Sequence, residues 1–136
     1  MPTLTRWLVK AALLWLVAGL LLGVAMQIPA ISRSSLLRAA WPTYLHFLTV
    51  GWLLQLIIGV ALWLFPRHSA ARPRGREWLG WITFVFLNLG VMLRAIGEPG
   101  RALGHDATLP LLISAAAQLV AVGAFVLNIW PRVRER

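Results

Sequence analysis

The chain has 136 residues, of which 60% are hydrophobic and only 12% charged; its net charge is +9 and it contains no cysteine. A water-soluble domain of this length needs far more polar surface, so a soluble globule is excluded. The absence of cysteine removes disulfides, thiolate metal sites, iron–sulfur ligation and covalent c-type haem attachment.

Four apolar runs follow one another: Leu8–Met26, Pro42–Phe65, Trp78–Ile96 and Leu109–Ile129. Each has the length needed to cross a hydrocarbon core, roughly 20 residues. In lipid the backbone must satisfy its own polar groups, so the runs are expected to be helices. The expected fold is an all-α membrane protein, one domain of four transmembrane helices in an up-down-up-down bundle.

The first helix is expected to start after Pro2-Thr3. Its apolar region is longer than that of a signal peptide, so it reads as a span. Gly19 and Gly23 form a GxxxG strip that lets another helix approach, either within the subunit or in a homodimer. The connection Gln27–Ala40 carries Pro29 and three serines, of which Ser32, Ser34 or Ser35 is placed to cap a short interfacial helix.

The second run opens on Trp41-Pro42 and closes on Pro66-Arg67. His46 lies about 6 Å below its start at 1.5 Å per residue. A side chain able to titrate or ligate at that depth is costly and therefore a functional candidate. His68, in the following basic loop, reads as an ordinary loop histidine.

The third run carries Arg94 near its end. The segment Gly97-Glu98-Pro99-Gly100 is expected to stop the helix, which puts Glu98, Arg101, His105 and Asp106 at or above the boundary and leaves no carboxylate inside a run. Asp106 or Thr108 is placed to cap the fourth helix, with Pro110 in its first turn. Asn88 and Gln118 fall at similar depth, which predicts a hydrogen bond between the third and fourth helices. Gln55 is the third mid-depth polar residue. Trp7, Trp41, Trp63, Trp78, Trp81 and Trp130 lie near run ends, as an aromatic belt requires. Trp15 and Trp52 are deeper, as packing residues or walls of a cofactor slot.

The arginines sit in short segments between runs, so the charge reports orientation and not a nucleic-acid partner. Arg6, Lys10, Arg67, Arg72, Arg74, Arg76, Arg132, Arg134 and Arg136 fall on one side; Arg33, Arg38, Arg94 and Arg101 fall on the other. The positive-inside rule puts both termini in the cytoplasm.

An imidazole inside one boundary with arginines above it suits a haem standing in the membrane. Its iron needs an axial nitrogen donor, and its propionates need cations at the water boundary. Arg94, Arg38 and Arg101 are the candidates, because guanidinium binds carboxylate bidentately. The alternative for the same residues pairs His46 with a backbone carbonyl or polar side chain, and Arg94 with Glu98 at i, i+4. There is no HExxH, GxSxG or P-loop.

His46-Phe47-Leu48-Thr49-Val50-Gly51-Trp52, then Gly59 and Leu64-Phe65-Pro66-Arg67, resembles the second transmembrane helix of subunit I in the haem–copper oxidase superfamily, closest to its nitric oxide reductase and cb-type branches. The resemblance covers about the first half of the chain. It implies that His46 is an axial ligand of haem b. Family members have about twelve spans, and the late helix carrying the second low-spin ligand and the histidines of the haem–copper centre have no counterpart here. Oxygen or nitric oxide reduction is therefore not implied, and a stand-alone enzyme is not expected.

The sixth ligand has several candidate sources: His46 of a second copy across a homodimer axis, His105 folding down, Met26 or Met92, or none in a gas-binding iron. The expectation is a bacterial or archaeal inner-membrane haem b protein, serving electron transfer or haem and gas sensing beside respiratory-complex subunits, with quinone a further possible partner. The rival is a cofactor-free structural or assembly subunit, and a small transporter ranks last.

Overall fold

The structure, a computed structural model, describes residues 1–65 and 76–133. His68, and Arg67, Arg72, Arg74, Arg134 and Arg136 of the charge count, lie outside the described residues. Four helices are long and apolar enough to cross a bilayer: Thr3–Gln27, Trp41–Leu64, Glu77–Ala102 and Thr108–Arg132. There is no strand among the described residues.

Helix α1 is Thr3–Gln27, and two short helices follow, α2 (Pro29–Ser32) and α3 (Ser35–Ala39). Ser34 is the residue that caps: its Oγ accepts from Leu37 N at 3.3 Å, which satisfies one orphan N–H of α3. The second long helix has three parts, α4 (Trp41–His46), a π-helical stretch (Phe47–Leu54) and α5 (Gln55–Leu64). The wide π turns begin directly after His46. Within them the Thr49 hydroxyl donates back to Leu45 O at 2.7 Å. Helix α6 is Glu77–Ala102, and α7 is Thr108–Ile129, ending in a 3₁₀ turn at Trp130–Arg132.

The third helix does not stop where its glycines and proline suggest. It continues through Gly97-Glu98-Pro99-Gly100 to Ala102. The physical stop is Gly104, whose φ is +87°. His105 N donates to Gly100 O at 2.9 Å and Gly104 N to Arg101 O at 3.1 Å, the paired bonds of a Schellman C-cap. Pro99 costs the helix one backbone bond but does not end it. Gly97 is a packing glycine, because a Cβ there would meet Leu111 Cδ2 at 2.9 Å.

Close approach fixes the register of α1 against the second long helix. A Cβ on Gly19 would meet Leu48 Cδ2 at 2.7 Å, one on Gly23 would meet Tyr44 Cε2 at 2.9 Å, and one on Gly51 would meet Trp15 Cγ at 2.7 Å. The partners run in opposite senses along the two helices. The GxxxG strip is thus filled by this chain's own Leu48 and Tyr44. Helices α6 and α7 pair the same way: Ser114 Oγ donates to Gly90 O at 2.7 Å, and Thr83 Oγ1 lies 3.2 Å from Ala121 O. Leu8, Ile58, Leu62, Leu87, Ala121 and Ile129 are buried together and join all four long helices. At one end of this core, Arg132 Nη2 donates to Leu62 O at 3.1 Å and Phe65 O at 2.7 Å, giving partners to carbonyls that the end of α5 leaves open.

The mid-depth amides pair differently from the expectation. Asn88 Oδ1 accepts from Trp15 Nε1 at 2.7 Å, so it ties α6 to α1 and not to α7. Gln118 lies against Gly90, and its Nε2 is buried without a partner. The two amides share a depth along the axis but face different neighbours. Gln55 Nε2 donates to Leu8 O at 3.2 Å.

Candidate functional site

The extension of α6 decides the site. Glu98 lies four residues before the end of the helix, so about 6 Å inside it, and Arg94 about 12 Å inside. Glu98 is not a boundary residue: its side chain is 8% exposed. It faces α4, where Thr43 and His46 occupy neighbouring turns.

Three donors converge on this carboxylate. Arg94 Nη1 donates to Oε1 at 3.0 Å, one turn away on the same helix. His46 Nδ1 lies 3.0 Å from the same oxygen. Thr43 Oγ1 donates to Oε2 at 3.1 Å. A buried carboxylate is tolerable only when paired and hydrogen-bonded, and this one is both.

The arrangement fixes the histidine. Its Nδ1 also lies 2.9 Å from Pro42 O. Both neighbours of Nδ1 are acceptors, so Nδ1 carries a hydrogen, and in the neutral ring the lone pair is on Nε2. His46 is 27% exposed, and Nε2 makes no hydrogen bond among the described residues. Arg94 Nε is likewise buried without a partner.

Of the residues singled out from sequence, His46 and Arg94 come together through Glu98. Arg38 and Arg101 are exposed, and His105 is exposed in the connection before α7. Neither an ion pair nor a hydrogen bond joins these three to His46 or Glu98 among the described residues. Arg38 lines a separate cleft with Met26, Gln27, Ser32, Leu37 and Trp41. Met92 is 57% exposed. Neither Asp106 nor Thr108 is the cap of α7: the N-cap is Ala107, with no side-chain cap bond, and Asp106, one residue earlier, accepts from Thr108 N at 3.0 Å through Oδ1. That bond, then the Thr108 side chain and the nearby Arg101 charge, hold the Asp106 carboxyl below its ordinary value.

Sequence reasoning missed Glu98 and Thr43 as site residues. The alternative pairing of Arg94 with Glu98 at i, i+4, and of His46 with a backbone carbonyl, is what forms; reading Pro99 as a stop hid that Glu98 is buried and also meets His46 and Thr43. Comparison with family models, with curated proteins and with solved structures returns no match. Among the described residues, no group of three or more His, Cys, Asp or Glu is arranged to hold a metal ion.

Proposed function

We propose that the chain is an integral membrane protein of four spans, an up-down-up-down bundle with both termini cytoplasmic, and that it holds haem b through His46 Nε2 for electron transfer or gas sensing. The membrane reading is supported by the surface. Leu14, Leu21, Ile96, Leu119 and Leu127 are each at least 66% exposed, and apolar patches on this scale belong in lipid or in an interface. The six tryptophans near helix ends are all exposed as well, which suits an aromatic belt.

One observation carries the haem reading. Histidines that ligate metals usually give their other ring N–H to a carboxylate or backbone carbonyl, which fixes the tautomer and raises ligand basicity. His46 has both kinds of partner on Nδ1. Arg94, whose side chain is 24% exposed, would offer the open part of its guanidinium to a propionate; Arg38 and Arg101 are the exposed cations available at the same end. Bound there, haem supplies a one-electron iron couple. Glu98 holds the imidazole in orientation, and Thr43 holds Glu98.

A second reading is favoured by the closure of the Glu98 network. Arg94, His46 and Thr43 together satisfy the carboxylate, as a cofactor-free structural subunit would require. Because Gly19 and Gly23 are occupied within the chain, the GxxxG strip gives no support to a homodimer, and a second His46 would have to approach by another face.

Absorption spectra of the detergent-purified protein, oxidised and dithionite-reduced, separate the readings. A Soret band that disappears in His46→Ala while the protein still folds supports haem. A colourless protein that stays colourless when haem is supplied refutes it and leaves the structural reading.

A further inference from the structure

At the end opposite His46, two clefts share Thr3 in their linings. The inner one is lined by Pro2, Leu4, Thr5, Leu62, Trp81 and Asn128, with Glu77 and Arg132, so all four long helices contribute. The outer one is lined by Arg6, Trp7 and Lys10, which with Thr3 follow the i, i+3, i+4, i+7 spacing of a single helix face.

The inner cleft is lined by two polar residues with little exposed surface. Asn128 is 5% exposed; its Oδ1 accepts from Arg76 N at 3.3 Å, but its Nδ2 has no acceptor among the described residues. The Thr5 side chain, in a residue 1% exposed, has no hydrogen-bond partner there either. Both residues line the inner cleft, so a ligand seated there can meet the two donors.

The outer cleft has unbalanced charge. Arg6 and Lys10 are one turn apart with like charge, an arrangement that destabilises a helix. Arg6 sits at the end of the first turn of α1, where the helix dipole also disfavours a cation, and α1 has no acidic residue in its first turn. Arg6 has only Thr3 Oγ1, at 3.4 Å, and neither cation is in an ion pair among the described residues. The chain has four carboxylates in all; Glu98 is held by Arg94 and His46, Asp106 lies near Arg101, and Glu77 lines the inner cleft with Arg132 but not the outer one.

We propose that the two clefts together bind the head group of an anionic phospholipid. The phosphate lies against Arg6 and Lys10, its neighbouring head-group oxygens reach Asn128 Nδ2 and the Thr5 hydroxyl, and Trp7 and Trp81 border the glycerol region. The two cations of the outer cleft, which has no carboxylate in its lining, select an anion, and the apolar walls Leu4 and Leu62 of the inner cleft select one with an acyl body. The inference rests on the membrane reading above.

The test uses the full chain in nanodiscs of phosphatidylcholine, with phosphatidylglycerol titrated in and retention read by native mass spectrometry alongside the thermal midpoint. Wild type should retain phosphatidylglycerol and gain several degrees. The Arg6→Gln/Lys10→Gln double variant should lose roughly thirtyfold in apparent affinity, as expected for two cations at a membrane surface. Asn128→Asp keeps the acceptor for Arg76 N, replaces the open donor with an anionic oxygen, and should weaken retention comparably. Equal retention in wild type and both variants overturns the site, and so does equal stabilisation by added phosphatidylcholine. If inorganic phosphate or soluble glycerol phosphate reproduces the shift, the ligand is a free anion and the lipid assignment is overturned. Flotation with phosphatidylcholine vesicles is read separately: a chain that fails to float refutes the membrane reading itself.

Discussion

His46 and Glu98 meet at 3.0 Å, Nδ1 to Oε1, and they do so only because α6 runs on through Pro99. Had the helix ended at Gly97, Glu98 would lie in a connection and His46 would have only the carbonyl of Pro42.

Glu98→Gln keeps the shape of the side chain and removes the charge that holds Arg94 and His46. Removing one member of a fully buried pair costs about 3–5 kcal/mol. Arg94 is 24% and His46 27% exposed, so solvent screening reduces the expected loss to about 1–3 kcal/mol. Unfolding in detergent measures it. Arg94→Leu should cost less in the Glu98→Gln background than in wild type, and additive losses would show that the pair is not coupled.

Trp15→Phe retains the ring against Gly51 and removes the donor to Asn88. In a membrane a single interhelical hydrogen bond is worth about 0.6 kcal/mol and at most about 1.7, so the expected destabilisation lies in that range. Adding Asn88→Leu should cost little more; a double variant with the full sum of both losses would argue against the bond.

Two glycine substitutions should have opposite signs. In Gly51→Ala the new Cβ would sit 2.7 Å from Trp15 Cγ and 2.9 Å from Trp15 Cβ, and that ring is anchored by its bond to Asn88. Overpacking of this kind costs about 1–3 kcal/mol. A Cβ added at Gly123 would meet nothing within 4 Å, so Gly123→Ala should gain up to about 1 kcal/mol from helix propensity. Thermal midpoints of the two variants check the contrast.

Asp106 gives a pH dependence. Its carboxyl is lowered first by the Thr108 backbone bond, then by the Thr108 side chain and Arg101. A group depressed on folding stabilises above its unfolded value, about 3.9, and that contribution is lost as pH falls through the folded value. Asp106→Asn should therefore lower the midpoint at pH 7, and the gap from wild type should close toward pH 3. A gap that persists in acid would place the effect elsewhere.

The long apolar runs were readable because each is unbroken over about 20 residues and because their ends carry Trp, Pro and Arg. Which faces of the four helices meet in the core of Leu8, Ile58, Leu62, Leu87, Ala121 and Ile129 does not follow from uniformly apolar runs. The end of α6 was not readable: Gly97, Pro99, Gly100 and Gly104 are all punctuation in sequence, and only Gly104 takes a positive φ. The partner of Asn88 was hidden for a related reason. Rise per residue gives depth, but the angular position of Trp15 across the interface depends on packing. The π stretch after His46 carries no composition signal, since Phe47–Leu54 reads as an ordinary apolar helix.

That stretch has a consequence for how length changes are tolerated. Hydrogen bonds from i to i+5 wind more residues into each turn than the ladders of α4 and α5. The chain thus holds slack between His46 and Gln55. Loss of one residue there can be absorbed by tightening π turns into α turns, with Glu98 still opposite His46 at one end and Leu8 still opposite Gln55 at the other. The same loss in α1 has no such reserve, and it would carry Gly19 and Gly23 away from Leu48 and Tyr44.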